Sequence, residues 1–363
     1  MIGRMIRKFP VFLMMVWTGM MFQGIMLSLH ARQPVPADTS TVQGTGHYLF
    51  ATDSLLYITL EADFHSIQFD TGDDNRWHEA RLILYRGRND SVAMPVELET
   101  RGHFRRSRKT CDFPPLRIRF DTDYTTETVF QGQKRLKMVT HCRSKQPAYE
   151  QFYMREYLLY RIYNQLTGLS FRVRPAMITY RDISGKSSGL VKFSFFLEDD
   201  DDMASRNGGV IAEVMNVAQY KLDYDQVLLF VMFQYFIGNT DWSVPALHNV
   251  KLFSPGEGGP LQPVPYDFDF SGAVDAPYAV PDQKLPINNV RQRLFRHYCV
   301  PREDLQPVFN LFLERKEDIY SLISQFPFLT DRNRKISLKY FDTFYDIIQN
   351  EKRIKREFQR MCW

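Results

Sequence analysis

Residues 225–237 are mostly apolar, and this run constrains the fold more than any other feature of the sequence. Its length and composition predict a helix, and a helix that is apolar on all sides must be buried. The chain has 363 residues, of which 44% are hydrophobic and 24% are charged, so it can surround such a helix within one large domain or two lobes. We therefore expect a globular protein with this helix in its core.

The N-terminus has the layout of an export signal. Three basic residues among the first eight precede a mostly apolar run over residues 11–29, and a polar stretch that contains proline follows. We expect residues 1–31 to be a cleaved signal peptide or a membrane anchor, because the apolar run is just long enough to span a bilayer. Residues 32–50 are then a linker. This layout predicts an exported protein of the periplasm, the cell envelope or the membrane.

Charge and cysteine usage bear on the class of partner. The net charge of +4 comes mostly from the N-terminus, because 43 basic and 42 acidic residues remain after residue 31, so we expect no nucleic-acid partner. The four cysteines lie far apart, without the close Cys or His spacing of a zinc site. In an oxidising compartment Cys111 and Cys142 could pair, but four reduced cysteines are equally compatible with the sequence.

Short alternating runs dominate the first part of the chain and predict strands. The expected strands cover residues 55–60, 80–85, 94–100, 116–120, 135–140, 176–180 and 190–197. A helix over 148–166 interrupts them, and later helices are expected over 211–219, 225–237 and the C-terminal quarter. This order predicts an α+β protein with a β-rich part over 51–197 and a mainly helical part over 198–363.

Residues 238–272 carry the side chains best suited to chemistry. The sequence reads Gly-Asn-Thr-Asp at 238–241, His-Asn at 248–249 and Tyr-Asp-Phe-Asp at 266–269. Phosphoryl transfer needs such a set, because one carboxylate must orient or deprotonate the acceptor while an amide and a second carboxylate hold magnesium. The same residue types form ordinary turns, so the order of the whole set carries the inference.

These motifs resemble those of known kinases. Gly-Asn-Thr-Asp followed by His-Asn is similar to the active site of the HipA-type kinases. The motifs Arg-Gly-His-Phe-Arg at 101–105, Arg-Glu-Tyr-Leu at 155–158, Phe-Leu-Glu at 196–198 and Tyr-Asp-Phe-Asp at 266–269 make the chain resemble the spore coat protein H (CotH) kinase-like family. This resemblance implies a bilobal protein-kinase-like fold with a β-rich N-lobe, a hinge near Glu198 and a mainly helical C-lobe.

The resemblance also implies roles for individual residues. Asp241 matches the catalytic Asp, Asn249 a metal ligand, and Asp267 the metal-binding Asp, with Asp269 as a second candidate. ATP with magnesium or manganese is then the cofactor, and an envelope or surface protein is the acceptor. The interval of eight between Asp241 and Asn249 is longer than in ordinary kinases, and no GxGxxG motif is present. The alternative is an inactive pseudokinase, or an envelope protein with a structural or binding role whose acids bind calcium.

A kinase also needs a lysine that pairs with a helical glutamate and grips the phosphates. Glu156 lies at helical spacing from Phe152 and Leu159, on the apolar face of its helix, and a buried carboxylate needs a cation. We expect Lys137, on the strand before this helix, to be that cation.

Other basic residues offer alternatives to this arrangement. Arg117 and Arg119 are the second choice as partners of Glu156. The basic run over 101–109, which begins at Arg101, could replace the glycine-rich phosphate cover as an anion clamp that contacts the nucleotide. It could equally be the solvated turn of a hairpin.

Overall fold

The computed structural model describes residues 48–72, 76–186, 189–256, 258–360 and 362, all within one compact unit, Gly44–Trp363. The signal or anchor expected over residues 1–31 and most of the expected linker over 32–50 lie outside the described residues. In the part of the chain that is described, no helix is long and apolar enough to cross a membrane.

Seven strands close into a β-barrel in the first part of the chain. They are β1 (Leu56–Ala62), β2 (His78–Gly87), β3 (Asp90–Thr100), β4 (Leu116–Phe120), β5 (Arg135–Val139), β6 (Val173–Asp182) and β7 (Leu190–Leu197). Their order around the barrel is β1-β2-β3-β4-β5-β7-β6. The barrel closes where β6 pairs with β1 in parallel, with Tyr57 opposite Met177. All other neighbours are antiparallel.

This closed barrel shows that the predicted bilobal kinase-like fold is wrong. Instead of the β-rich N-lobe of a kinase-like fold, the structure has a closed seven-stranded barrel followed by a helical region. The closing pair joins strands that are far apart in sequence, and no local periodicity reports such a pairing. Glu198, the expected hinge, is buried and bonded to Arg206 and to the backbone N–H of Arg172.

Helices make up most of the remaining structure. They are α1 (Phe64–Phe69), α2 (Glu150–Leu166), α3 (Asp200–Arg206), α4 (Tyr224–Ile237), α5 (Arg302–Glu314), α6 (Lys316–Gln325), α7 (Asp331–Ile348) and α8 (Glu351–Gln359). A small antiparallel sheet is formed by β8 (Gly209–Ala212), β9 (Val250–Pro255) and β10 (Gln262–Pro265), in the order β10-β9-β8. The helix expected over 211–219 is wrong, because Ile211 pairs with Phe253 of β9.

The core confirms the central feature of the sequence. Every residue of α4 from Val227 to Ile237 is buried, so this helix is surrounded on all sides. The side chain of Asp223 caps its first turn by accepting the N–H of Gln226, and Gly238 ends the helix in a left-handed conformation. The helix thereby fixes the position at which the candidate loop begins.

Two disulfides join the four cysteines. Cys111 pairs with Cys142, which was one of the two possibilities that the sequence left open. Cys299 pairs with Cys362, which the sequence analysis did not anticipate. The first disulfide ties the basic loop after β3 to the segment after β5.

Candidate functional site

Two glycines hold the loop after α4 against the segment that carries Asp267. A Cβ atom at Gly238 would lie 2.0 Å from the Tyr340 hydroxyl, and one at Gly272 would lie 2.3 Å from the Val290 carbonyl oxygen. The N–H of Gly272 donates to the carbonyl of Gly238 at 3.0 Å. A Cβ at Gly272 would meet backbone, whereas one at Gly238 would require the Tyr340 side chain to move, so both positions favour glycine. The hydrogen bond between the two glycines joins both segments of the candidate site at one end.

Asp241 is oriented by two neighbours. His248 Nε2 lies 2.9 Å from Asp241 Oδ1, while Asn249 Nδ2 donates to Asp241 Oδ2 at 3.0 Å and to the Asp241 carbonyl at 2.8 Å. Because the Asn249 amide donors point to Asp241, the Asn249 Oδ1 atom remains to accept or coordinate. The hydrogen bond that the His248 ring donates to Asp241 raises the pKa of His248, although burial opposes this effect.

The long interval between Asp241 and Asn249 has a structural explanation. Residues 243–248 form a turn that the two backbone hydrogen bonds between Ser243 and His248 close, at 2.9 and 3.0 Å. Asn249 follows this turn with a φ of +52°, a left-handed conformation that Asn tolerates better than most residues. The extra residues therefore loop out, and Asn249 returns to Asp241.

Asp267 and Asp269 lie just beyond β10. Asp267 has a φ of +62°, and its backbone N–H donates to the Tyr160 hydroxyl at 2.8 Å. Asp269 is buried and accepts a hydrogen bond from the Tyr278 hydroxyl at 2.9 Å. Burial and the nearby charge of Asp267 raise the pKa of Asp269 to about 7. The two carboxylates thus differ in environment, although only Phe268 lies between them in the sequence.

Glu156 of α2 is fully buried beside these carboxylates. Burial, together with the charges of Asp269 and Asp267, raises its pKa well above the usual range. Its ion pair is with Arg105, where Nη1 lies 3.9 Å from Oε2, and Oε2 has no hydrogen-bond partner among the described residues. A buried, incompletely satisfied carboxyl in such a position is typical of functional sites.

Lys137 and Glu156 each have a partner other than the expected one. Lys137 pairs with Asp200 at 2.6 Å, and Arg105 takes the expected place of Lys137 beside Glu156. The cations named as alternatives also lie elsewhere.

The two alternative cations are paired on the outside of the barrel. Arg117 contacts Glu99 at 2.6 Å, and Arg119 pairs with Glu97. These are cross-strand pairs between β3 and β4, since Glu99 lies opposite Arg117 and Glu97 opposite Arg119.

Arg101 and Arg105 bring positive charge to the acidic site. Arg105 Nη2 donates to the Thr140 carbonyl at 2.7 Å, in the segment that the Cys111–Cys142 disulfide holds nearby. Burial lowers the pKa of Arg101, and the negative charge of Asp267 opposes that effect. The Nε atoms of Arg101 and Arg105 are buried without a hydrogen-bond partner in the part of the chain that the structure describes. Each guanidinium group therefore keeps one donor that no described residue accepts.

Several residues of the site were missed by sequence reasoning. Tyr160 follows Glu156 by four residues on α2, so helical periodicity could have placed it on the same face. Tyr278 lies in a loop and gave no sequence signal. Arg296 Nη1 donates to the carbonyls of Thr240 and Trp242, at 2.7 Å each, and supports the backbone on both sides of Asp241.

Asp267 and Asn249 supply oxygen donors of the kind that magnesium prefers. Within the described residues, no three His, Cys, Asp or Glu side chains lie together in a way that could hold a metal ion. Magnesium needs only one or two protein carboxylates, because phosphate oxygens and water complete its octahedral shell. The carboxylate of Asp267 and Oδ1 of Asn249 are oxygen ligands of the required kind.

Comparison with known proteins gives no further guide to function, because no protein-family model and no curated protein matches this chain.

Proposed function

We propose that the protein transfers a phosphoryl group from ATP to a hydroxyl group of a protein, with magnesium or manganese as the metal. The observation that carries this proposal is the orientation of Asp241 by His248 and Asn249. The Asp241 side chain is 37% exposed, so an acceptor can reach it, and its charge acts on the buried Asp269. The resemblance to the CotH kinase-like family supports the same chemistry. The corrected fold does not oppose it, since function depends on the site rather than on the fold.

Each residue has a distinct role in this proposal. Asp241 orients the acceptor hydroxyl and accepts its proton, as one carboxylate must in phosphoryl transfer. Oδ1 of Asn249 and the carboxylate of Asp267 would hold the metal, which, when bound, neutralises phosphate charge. Arg101 and Arg105 offset the remaining negative charge as the transition state develops. The export of such an enzyme and its envelope acceptor remain predictions from the sequence.

A binding protein without turnover is the second candidate. The observation in its favour is that His248 contacts Asp241 Oδ1 and Asn249 contacts Oδ2, so both carboxylate oxygens are engaged. An acceptor hydroxyl would have to displace His248, whose side chain is 54% exposed. A calcium-binding role requires six to eight oxygen ligands. Such a role predicts that calcium without nucleotide stabilises the folded protein.

Melting curves with and without magnesium-ATP test the proposal on the mature chain. Ligand at a hundredfold excess over its Kd should stabilise the wild type by about 2.7 kcal/mol. Asp267→Asn should abolish the shift, and Asn is compatible with the left-handed backbone at this position, so the substitution tests charge rather than conformation. Asp241→Asn should retain the shift and lose transfer of labelled phosphate to envelope extract. The exposed Asp282→Asn is the matched control.

Three results would contradict the proposal. If the melting curve of the wild type does not shift, the protein does not bind the nucleotide. If Asp267→Asn keeps the full shift, Asp267 does not hold the metal. A shift without transfer in the wild type favours the binding protein.

A further inference from the structure

Two lysines from different parts of the fold share one carboxylate. Asp200, in the first turn of α3, contacts Lys137 of β5 at 2.6 Å through Oδ1 and Lys251 of β9 at 2.8 Å through Oδ2. The side chains of Lys137 and Lys251 are only 20% and 25% exposed. Each ammonium has three donors, and a single carboxylate cannot satisfy six. The lysine pair therefore has donors in excess of its acceptor.

These groups lie in a cleft between the barrel and the small sheet. The cleft has a volume of about 540 Å3, which is within the range of small-molecule sites. Arg117 and Arg135 also line it, as do Asp199, Asp201 and Glu213. Asp199 is engaged in capping α3 through the N–H of Asp201. The cleft thus has three cations on the barrel side, Lys251 on the small sheet, and four acids.

The cleft is adjacent to the site of Asp267. The ring of Tyr266 lies 5.6 Å from Lys137 Nζ and 6.0 Å from Lys251 Nζ, and Tyr266 precedes Asp267 directly. The positive charge of Arg101 is also close enough to lower the pKa of Lys137, after the larger effect of burial and against the attraction of Asp200. A ligand with several anionic groups could therefore contact both the lysine pair and the residues around Asp267.

We propose that Lys137 and Lys251 form a phosphate-binding site in this cleft and that Asp200 occupies it as an internal competing anion. A polyphosphate group would replace the Asp200 carboxylate between the two ammonium groups. Asp200 would then turn towards solvent at the start of α3. The identity of the ligand as a nucleotide rests on the proposed function, whereas the anion site itself does not.

The competition predicts the opposite effect from that of an ordinary binding residue. If Asp200 competes, Asp200→Asn should bind tripolyphosphate about tenfold more tightly than the wild type, since two partly exposed ion pairs of about 0.7 kcal/mol each would no longer need to be broken. Lys251→Met and Lys137→Met should each weaken binding about tenfold. Asp201→Asn is the matched control, because it removes the same charge from the same cleft but not from the carboxylate that contacts the lysines.

Titration calorimetry with tripolyphosphate in the absence of magnesium measures these affinities directly. Unchanged or weaker binding in Asp200→Asn, or equal tightening in Asp201→Asn, would overturn the competition. If Asp200→Asn does not fold, the lysine variants decide, and wild-type affinity in both would overturn the site. Asp267→Asn separates this inference from the proposed function. It should lose the magnesium-ATP shift and still bind tripolyphosphate.

Discussion

Replacing Asp269 by Asn should stabilise the folded protein, and the gain should grow with pH. Burial and the charge of Asp267 raise the pKa of Asp269 from 3.8 to about 7. When a carboxyl has a higher pKa in the folded state than in the unfolded state, the folded protein loses stability as the pH rises from the unfolded-state pKa to the folded-state pKa. Asn cannot ionise, has nearly the same size, and keeps an oxygen that can accept the hydrogen bond of Tyr278.

The size of the effect follows from the two pKa values. At 1.36 kcal/mol per pKa unit, the wild type is destabilised by on the order of 2 kcal/mol at pH 5 and on the order of 4 kcal/mol at pH 8. The advantage of Asp269→Asn should therefore increase by roughly 2 to 3 kcal/mol between these two pH values.

Urea unfolding at pH 5 and pH 8 measures this difference. The exposed Asp346→Asn on α7 is the control for the loss of one carboxylate. An advantage of Asp269→Asn that is equal at both pH values, or that decreases at pH 8, would refute the buried, protonated state of Asp269.

Three further predictions test the frame of the site. Gly238→Ala should lower the free energy of unfolding in urea by about 2 to 4 kcal/mol, because a Cβ would meet the Tyr340 hydroxyl. Tyr340→Phe should recover part of this loss in the double variant. Additive losses would contradict the contact. Cys111→Ser should lower the free energy of unfolding by about 3 to 4 kcal/mol, since the disulfide closes a loop with a separation of 31 residues, and a loss that persists after reduction of both proteins would point to another cause. His248→Gln should destabilise the protein by about 0.5 kcal/mol at pH 5.5 and not at pH 8.5. The reason is that the raised pKa of His248 contributes stability below about pH 6.5, and this stability is lost as the pH rises through the folded-state pKa. An equal loss at both pH values would exclude the charged pair.

Local patterns predicted most of the regular structure correctly. Strands β4 and β7 have the predicted bounds, and α2 and α4 differ from the prediction by at most two residues. These elements have strong periodicity or uninterrupted apolar character, which a local window reports. Residues 211–219 were predicted as a helix, but Ile211 and Ala212 belong to β8 and pair with β9. Closure of the barrel by β1 and β6 is equally invisible to a local window.

A part of the candidate site could be predicted where local backbone hydrogen bonds determine a contact, and not where residues distant in sequence do. The interval between Asp241 and Asn249 is longer than in ordinary kinases, yet a closed turn over 243–248 brings Asn249 into contact with Asp241. A turn closed by its own backbone can change length without moving the residues that flank it. The environment of Asp269 could not be predicted, because its burial depends on Tyr278 and on the loop that carries it.

The partner of Glu156 shows how one contact depends on several earlier ones. Helical spacing correctly placed Glu156 on a buried face and required a cation, but it could not choose among cations distant in sequence. On β5, Leu136 and Met138 are 1% and 0% exposed, so alternation turns Lys137 out of the barrel, where Asp200 meets it. Arg105 reaches Glu156 from a loop that the Cys111–Cys142 disulfide holds in place. Because the sequence left that disulfide open, it also left open the position of the loop and hence the ion pair between Arg105 and Glu156.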